Sequence, residues 1–462
     1  MRFTTTALVL ILLSSAVLAQ RKTRMAALPS SHSEKQKIFP YPYTIDDLPN
    51  GLRLVTVDTG FPNIVAVYTV VRAGARNEVE HGKSGYAHLF EHLMFRGSEH
   101  YTPQQRDEIL KRAGADDNAY TTDDRTVFHE VFSKEDLDTI MQLNADTFQH
   151  LKYSPDAYKT ETKAVLGEFN KNSSNPSEKL FEVLRASAYR KHTYEHTAMG
   201  FIKDIEDMPN QYDYSLQFYQ RYYRPENIVI MVVGDVQHDQ TLAIVKKYFG
   251  DWQRGNYTPQ IPSEPAQTAA REEHIEWPSP TLPYVDVAFR GPAYSDTDVD
   301  HAALDLLQAY AFGENSDLYQ KLVLKEQKVD ELGASFPDHM DPELFYVEAR
   351  VKDPKDLDSV RNDILATYKR FTTELIPQDK LDATRSRLRY SFALSLDSSA
   401  AIAGTLASYV GLRGTPESVN KVYAIYDRVT PEDIRAAAAK YFVDHNRTIV
   451  TLTSKVQGGA DR

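Results

Sequence analysis

The chain has 462 residues, 42% hydrophobic and 26% charged, with a formal net charge of −12. That length allows two to four domains with a sizeable core, and the acidic balance argues against nucleic acid or anionic membrane surfaces as main partners. Cysteine is absent, so no disulfide can staple the fold, and any zinc site must be built from histidine and carboxylate. Such a donor set suits catalytic rather than structural zinc.

The first residues read as a targeting segment. Arg2 supplies a positive start, an apolar run extends from Ala7 to Ala19, and Val17 and Ala19 fit the small-residue cleavage pattern ahead of Gln20. The expectation is a signal peptide over 1–19, with an uncleaved anchor as the alternative, and a polar, basic leader over 20–37. No later apolar run is long enough to span a bilayer, so an exported, periplasmic or secreted protein without a membrane anchor is expected after cleavage.

Leu48-Pro49-Asn50-Gly51 predicts a hairpin turn that leads into a strand, and Ile64 to Val71 a second strand. Gly85 to Phe95 has helical periodicity, with Leu89, Leu93, Phe90 and Met94 as apolar faces. A helix over 103–113 follows, then two strands, 118–122 and 126–132, around an Asp-rich turn, and a helix over 135–150. Ser154-Pro155 opens a further helix with serine as N-cap and proline at the first helical position. An aromatic-rich helix at 213–223, Pro225-Glu226-Asn227, a buried strand at 228–233 and a helix at 237–249 complete an N-terminal domain, 38–250. The proline-rich stretch 251–283 reads as a linker. In the C-terminal domain, 284–456, strands are expected at 285–289, 329–336 and 344–351, and helices at 298–311 and 317–328. The close of this domain, a helix at 431–442, Asn446 and a strand at 449–452, repeats the helix–Asn–strand order that closes the first. This repetition predicts two homologous halves.

Chemistry concentrates in the helix after Gly85. His88, Glu91 and His92 fall at i, i+3 and i+4 and project from one side. Two imidazoles one turn apart can share a metal ion, and His-x-x-Glu-His is the inverzincin pattern. A second match, His192-Thr193-Tyr194-Glu195-His196, has Glu272 as far beyond it as Glu168 lies beyond His92. Context separates the two: the second lacks an apolar helical pattern and is expected to be a substrate-side loop or plain surface. In the helix opened by Pro155, Tyr158, Glu161, Val165 and Glu168 share one face, so two carboxylates lie in line with apolar residues. Buried carboxylates need a cation or donors; the alternative is a solvated face among Lys159, Lys163 and Lys171. His88, His92 and Glu168 as ligands leave a fourth zinc position for water, with Glu91 as general base and Glu161 as support for a ligand.

Gly85-Tyr86-Ala87-His88-Leu89-Phe90-Glu91-His92-Leu93-Met94-Phe95-Arg96-Gly97, then Asn118-Ala119-Tyr120-Thr121, Glu161 and Glu168, resemble the insulinase/pitrilysin (M16) metallopeptidases. The resemblance extends over Tyr223-Arg224-Pro225-Glu226-Asn227 and is strongest to the short M16B type that includes the mitochondrial processing peptidase β subunit. It implies an α+β fold of two homologous lobes, each a largely antiparallel sheet packed with helices, the LuxS/metallohydrolase-like fold. It implies one Zn2+ per chain on His88, His92 and Glu168, Glu91 as base, Glu161 as support, and Asn118 and Ala119 on an edge strand to which an extended peptide adds. The expected activity is zinc-dependent endopeptidase action on unfolded peptides.

One departure bears on partners. Family members with the full site carry an arginine and, seven residues on, a tyrosine in the later half, where this chain aligns Lys325 and Leu332. The expectation is a heterodimer whose related subunit supplies the pair; a homodimer that does without it is the alternative. A non-catalytic assembly or peptide-binding subunit is the competing functional class.

Overall fold

In the computed structural model, residues 37–455 are described. The expected signal peptide and almost the whole expected leader lie outside them. Two sheets organise the chain. The first has six strands, β1 (Tyr43–Asp47), β2 (Arg53–Asp58), β3 (Ile64–Val71), β4 (Asp116–Thr121), β5 (Thr126–Ser133) and β6 (Ile228–Gly234), in the order β1-β2-β6-β3-β5-β4. Only β2 and β6 run parallel. The centre goes to the most apolar sequences: β6, Ile-Val-Ile-Met-Val-Val-Gly, is buried at every position, as a strand covered on both faces must be. The polar β4, Asp-Asp-Asn-Ala-Tyr-Thr, takes an edge.

Between β3 and β4 lie α1 (Tyr86–Leu93) and α2 (Pro103–Ala113). Between β5 and β6 come α3 (Leu137–Gln149), α4 (Pro155–Asn172), α5 (Pro176–Ala188), α6 (Ile202–Asp207) and α7 (Tyr212–Tyr222), and α8 (His238–Phe249) follows β6. The second sheet contains β7 (Arg271–Trp277), β8 (Tyr284–Arg290), β9 (Val329–Ser335), β10 (Leu344–Val351) and β11 (Arg447–Ser454), in the order β7-β11-β8-β10-β9. Here only β7 and β11 are parallel. Its helices are α9 (Val299–Ala311), α10 (Asp317–Tyr319, continuing as a π-turn over Gln320–Lys325), α11 (Leu357–Phe371), α12 (Gln378–Leu394), α13 (Ser399–Arg413), α14 (Glu417–Arg428) and α15 (Pro431–Tyr441).

Without β1, the two strand orders and their parallel pairs coincide, so the chain folds as two like α+β lobes. The repeated asparagine has one structural job in both. Asn227 Nδ2 donates to the carbonyls of Tyr222 and Arg72, and Asn446 Nδ2 to those of Tyr441 and Arg290. Each amide ties the end of a helix to the residue that follows or ends the central strand, satisfying carbonyls that the helix and sheet leave free.

One face of each sheet packs against helices of its own lobe. Leu89, Phe90, Ile140, Tyr158 and Phe218 belong to one such core, and Leu304, Leu307, Ile364 and Ile434 to the other. The opposite faces are covered reciprocally. Helix α13 of the second lobe sets Ile402, Leu406 and Val410 against Val57, Ala66, Val70 and Met231 of the first sheet. Helix α5 of the first lobe sets Leu180, Leu184 and Ala188 against Tyr284, Ala288 and Val450 of the second. Burying a leucine of this kind contributes about 1.5–3 kcal/mol.

Two expectations shift. The stretch 251–283 carries strand β7, hidden in the sequence because Arg-Glu-Glu-His-Ile-Glu-Trp is a mostly exposed edge strand without apolar alternation. The helix expected over 317–328 is a short α-turn that widens into a π-turn and stops at Lys325.

Candidate metal centre

Helix α1 starts at Gly85, whose φ of +86° is a left-handed value that glycine alone adopts freely. A Cβ there would also lie 2.4 Å from Ile205 Cδ1. Glycine cannot cap with a side chain, and the buried carboxylate of Glu78 takes over, accepting from the Gly85 and Ala87 backbone N–H groups at 2.6 and 2.7 Å. Tyr86, Leu89, Phe90 and Leu93 hold the helix against the core. His88 and His92, one turn apart, therefore face α4, which brings Glu161 and Glu168 from one face, two turns apart.

His88 Nε2 and His92 Nε2 are 3.3 Å apart, and Glu168 Oε2 lies 3.7 and 3.6 Å from them. A tetrahedral ion with bonds of about 2.0–2.1 Å needs donor atoms roughly 3.3–3.4 Å apart. The three atoms form a triangle of that size, and the residues fit a single zinc ion. Burial pushes the His88 imidazole down to about 4, with the His92 charge acting the same way, which leaves its nitrogen free to coordinate. His92 is held above its ordinary value, chiefly by Glu161.

Glu161 is 2% exposed. Its Oε1 accepts from Arg96 Nε at 2.7 Å, and its Oε2 faces His92 Nδ1 at 3.6 Å. Burial raises this carboxyl, but His92 and Arg96 together outweigh it and keep it below its usual value. Glu91 Oε2 accepts from Thr121 Oγ1 at 2.7 Å. Burial, opposed in part by Thr121, holds Glu91 above the ordinary carboxylate value, in the direction a base working near neutral pH requires.

A cavity of about 460 Å³ opens beside these groups, lined by Glu91, His92, Arg96, Asp117, Asn118 and Glu161. Asn118 thus reaches the site from the edge strand β4, whereas Ala119 is buried in the core beneath it. The expected apolar stripe of α4 holds Tyr158, Glu161 and Val165 buried, and Glu168 is half-buried at its end.

The second His-x-x-Glu-His match assembles nothing comparable. Thr193–Glu195 is a single 3-10 turn. His192 Nε2 bonds Asp341 at 3.0 Å and His196 Nδ1 the Thr197 carbonyl at 2.9 Å, so the rings have separate partners. Both are buried, which corrects the expectation of plain surface: Tyr194 packs against Ala288 and Val450 of the second lobe and donates to Asp124, while Thr193, Glu195 and His196 line a cavity of about 560 Å³. Glu272 lies on β7 and pairs with Arg447. Of the residues aligned with the arginine–tyrosine pair, Lys325 ends the π-turn and Leu332 lies on β9.

Sequence reasoning gave no role to Glu78, Arg96 and Thr121. Arg96 carried a usable signal, standing four residues after His92; Thr121 and Glu78 carried none, since each acts across a turn of tertiary structure.

Residues 53–200 match the family model described as "Insulinase (Peptidase family M16)", and residues 211–388 the one described as "Peptidase M16 inactive domain". The zinc protease PqqE of Helicobacter pylori is 28% identical over 412 residues, covering 88% of this chain and 91% of that protein. The mitochondrial-processing peptidase subunit beta of Bos taurus is 25% identical over 438 residues, covering 92% and 87%. Among solved structures, a protease from Helicobacter pylori superposes with a TM-score of 0.84 at 27% identity, covering 89% of this chain and 99% of that one. The first half of the periplasmic protease PqqL from Escherichia coli shares the fold, with a TM-score of 0.72 at 18% identity, covering 89% of this chain and 92% of that one.

Proposed function

The chain belongs to the M16 insulinase family of peptidases, and from that premise we propose that it is an exported zinc metallopeptidase that hydrolyses peptide bonds of unfolded peptides as one subunit of a dimer. The observation that carries this reading is the triangle of His88, His92 and Glu168 donor atoms, with sides of 3.3, 3.6 and 3.7 Å, formed where α4 meets the helix that also presents Glu91.

His88, His92 and Glu168 would hold the ion. Zinc, when bound, supplies a Lewis acid and brings water towards deprotonation near neutral pH. Glu91 accepts a proton from the attacking water and passes it to the nitrogen of the leaving amine, so that the C–N bond breaks with neutral products. Thr121 fixes the Glu91 carboxylate by its 2.7 Å hydrogen bond. Glu161, itself held by Arg96, turns the His92 ring by facing Nδ1 and leaves Nε2 for the ion. The free edge of β4, with Asn118 at the cavity, is suited to an extended peptide added as a further strand.

Export is supported by the apolar start of the chain and by a structural neighbour titled a periplasmic protease; among the described residues no helix is long and apolar enough to cross a membrane. The absence of an arginine–tyrosine pair at Lys325 and Leu332 supports a related subunit that contributes it. The test is hydrolysis of an unstructured peptide by the mature protein, alone and with the subunit that co-purifies from its source. Chelator-sensitive cleavage that Glu91→Gln abolishes is expected; equal rates for Glu91→Gln and wild type would overturn the mechanism.

A further inference from the structure

The second lobe contains a group of ligating side chains in a place that its repeat relation to the first makes significant. His88 and His92 are the third and seventh residues of α1, and His301 and Asp305 are the third and seventh residues of α9. Both helices follow the middle strand of their sheet, β3 or β8. The Glu91 position is taken by Leu304, which is fully buried.

His301 is 1% exposed, and neither ring nitrogen has a hydrogen-bond partner among the described residues. Each faces a carboxylate instead: Nδ1 is 3.4 Å from Asp305 Oδ2 and Nε2 is 3.2 Å from Asp338 Oδ1. A neutral imidazole has one N–H, so one of these contacts sets a nitrogen lone pair against a carboxyl oxygen inside the protein. A buried contact of this kind needs a proton or a cation between its atoms. Tyr426 meets part of the need, donating to Asp305 Oδ2 at 2.8 Å. One nitrogen of His301 and one oxygen from each aspartate lie within 4.8 Å of one another; because the two carboxylates face different ring nitrogens, one of them must turn for all three to share an ion. A cavity of about 520 Å³, lined by Asp305, Gln308, Glu314, Asp338 and Tyr426 among others, gives access and room for water ligands.

We propose that His301, Asp305 and Asp338 form a second cation site, in the C-terminal lobe, which takes a divalent first-row metal ion such as Zn2+ or Mn2+. One imidazole with two carboxylates is a donor set for such ions. With Leu304 where the first lobe has Glu91, the site binds without a base beside it, so its role is structural although its donor set is of the kind that suits catalytic zinc. The ion clamps the β9–β10 connection to α9. The next residue of that connection, His339, reaches across to Asp123 of the first lobe at 2.7 Å, so the clamp also steadies a contact between the lobes.

The test starts from the full chain carrying His88→Ala and His92→Ala, which removes the imidazoles of the first centre. Equilibrium dialysis against Zn2+ or Mn2+ should leave one equivalent of metal per chain, and the ion should raise the unfolding temperature by a few degrees. Adding Asp338→Asn, an isosteric change in a connection, should abolish both effects. In the same background Co2+ should give a visible absorption band that Asp338→Asn removes. A chain that retains no metal after the first two substitutions would show an ion triad held by a protonated His301 and overturn the proposal. Undiminished binding in the triple variant would overturn it as well.

Discussion

Helices α1 and α9 are the same element in two lobes, and they have diverged in an instructive way. Each carries a side chain able to hold a metal at its third and seventh residues. In the first lobe these meet Glu168 from α4; in the second they meet Asp338 from a strand connection. The first lobe adds Glu91 with Thr121 behind it, and the second has the apolar Leu304. On the proposed reading, the scaffold specifies where an ion can sit, and the residue between the two candidate ligands decides whether a base stands beside it.

The largest effect should come from Glu91. Glu91→Gln keeps the ligand triangle and removes the base, and should lower kcat/KM for an unstructured peptide by about 10³-fold with metal content unchanged. A loss of metal together with activity would mean that Glu91 is part of the cage and would blur the distinction between the lobes.

The lobes are alike in how they lend helices. Leu184→Ala in α5 and Leu406→Ala in α13 should each cost about 2–5 kcal/mol, both leaving one cooperative thermal transition. Two separate transitions in either variant would mean that the lobes are energetically independent.

His339 makes a pH test of their contact. Burial lowers its value, but the hydrogen bond that its Nε2–H donates to Asp123 and the charge of Glu343 outweigh that and raise it from 6.5 to about 9. A cation stabilised in the folded state contributes fully below the unfolded value near 6.5 and is lost as pH rises through about 9. Wild type should lose roughly 3 kcal/mol of stability across this window relative to His339→Gln, read by denaturant titration at several pH values. Parallel curves for the two proteins would remove the ion pair from the account.

Smaller effects belong to supporting groups of the first lobe. Glu161→Gln should cost 10- to 100-fold in zinc affinity, measured by competition with a chelator. Thr121→Val should lower kcat a few-fold, roughly 1 kcal/mol, with KM and zinc affinity held. If KM moved instead, Thr121 would be acting on the β4 edge rather than on Glu91.

What was legible in the sequence follows physical range. Helix α1 announced itself because its motif and its apolar period lie within eleven residues, and the buried Glu161 was visible as a carboxylate on an apolar stripe. Asn227 and Asn446 were legible as a cadence, since cap chemistry is local. Three features were not. Strand β7 is an exposed edge and has no amphipathic signature. The exchange of α5 and α13 was hidden because periodicity reveals that a face is buried but not against what. The burial of His192 and His196 depends on a short 3-10 turn held by Asp341 and Thr197, contacts that no local pattern encodes.

The reciprocal covering by α5 and α13 bears on what a protease would do to this molecule. The largely exposed residues 253–266 join the lobes, and a nick there would cut the covalent tie without freeing either half. Each fragment would still carry the helix that roofs the other, with Leu184 and Leu406 as the pins. The cleaved chain should migrate as two bands in denaturing gels and as one particle in gel filtration. Fragments made separately would each display a bare apolar sheet face until they met.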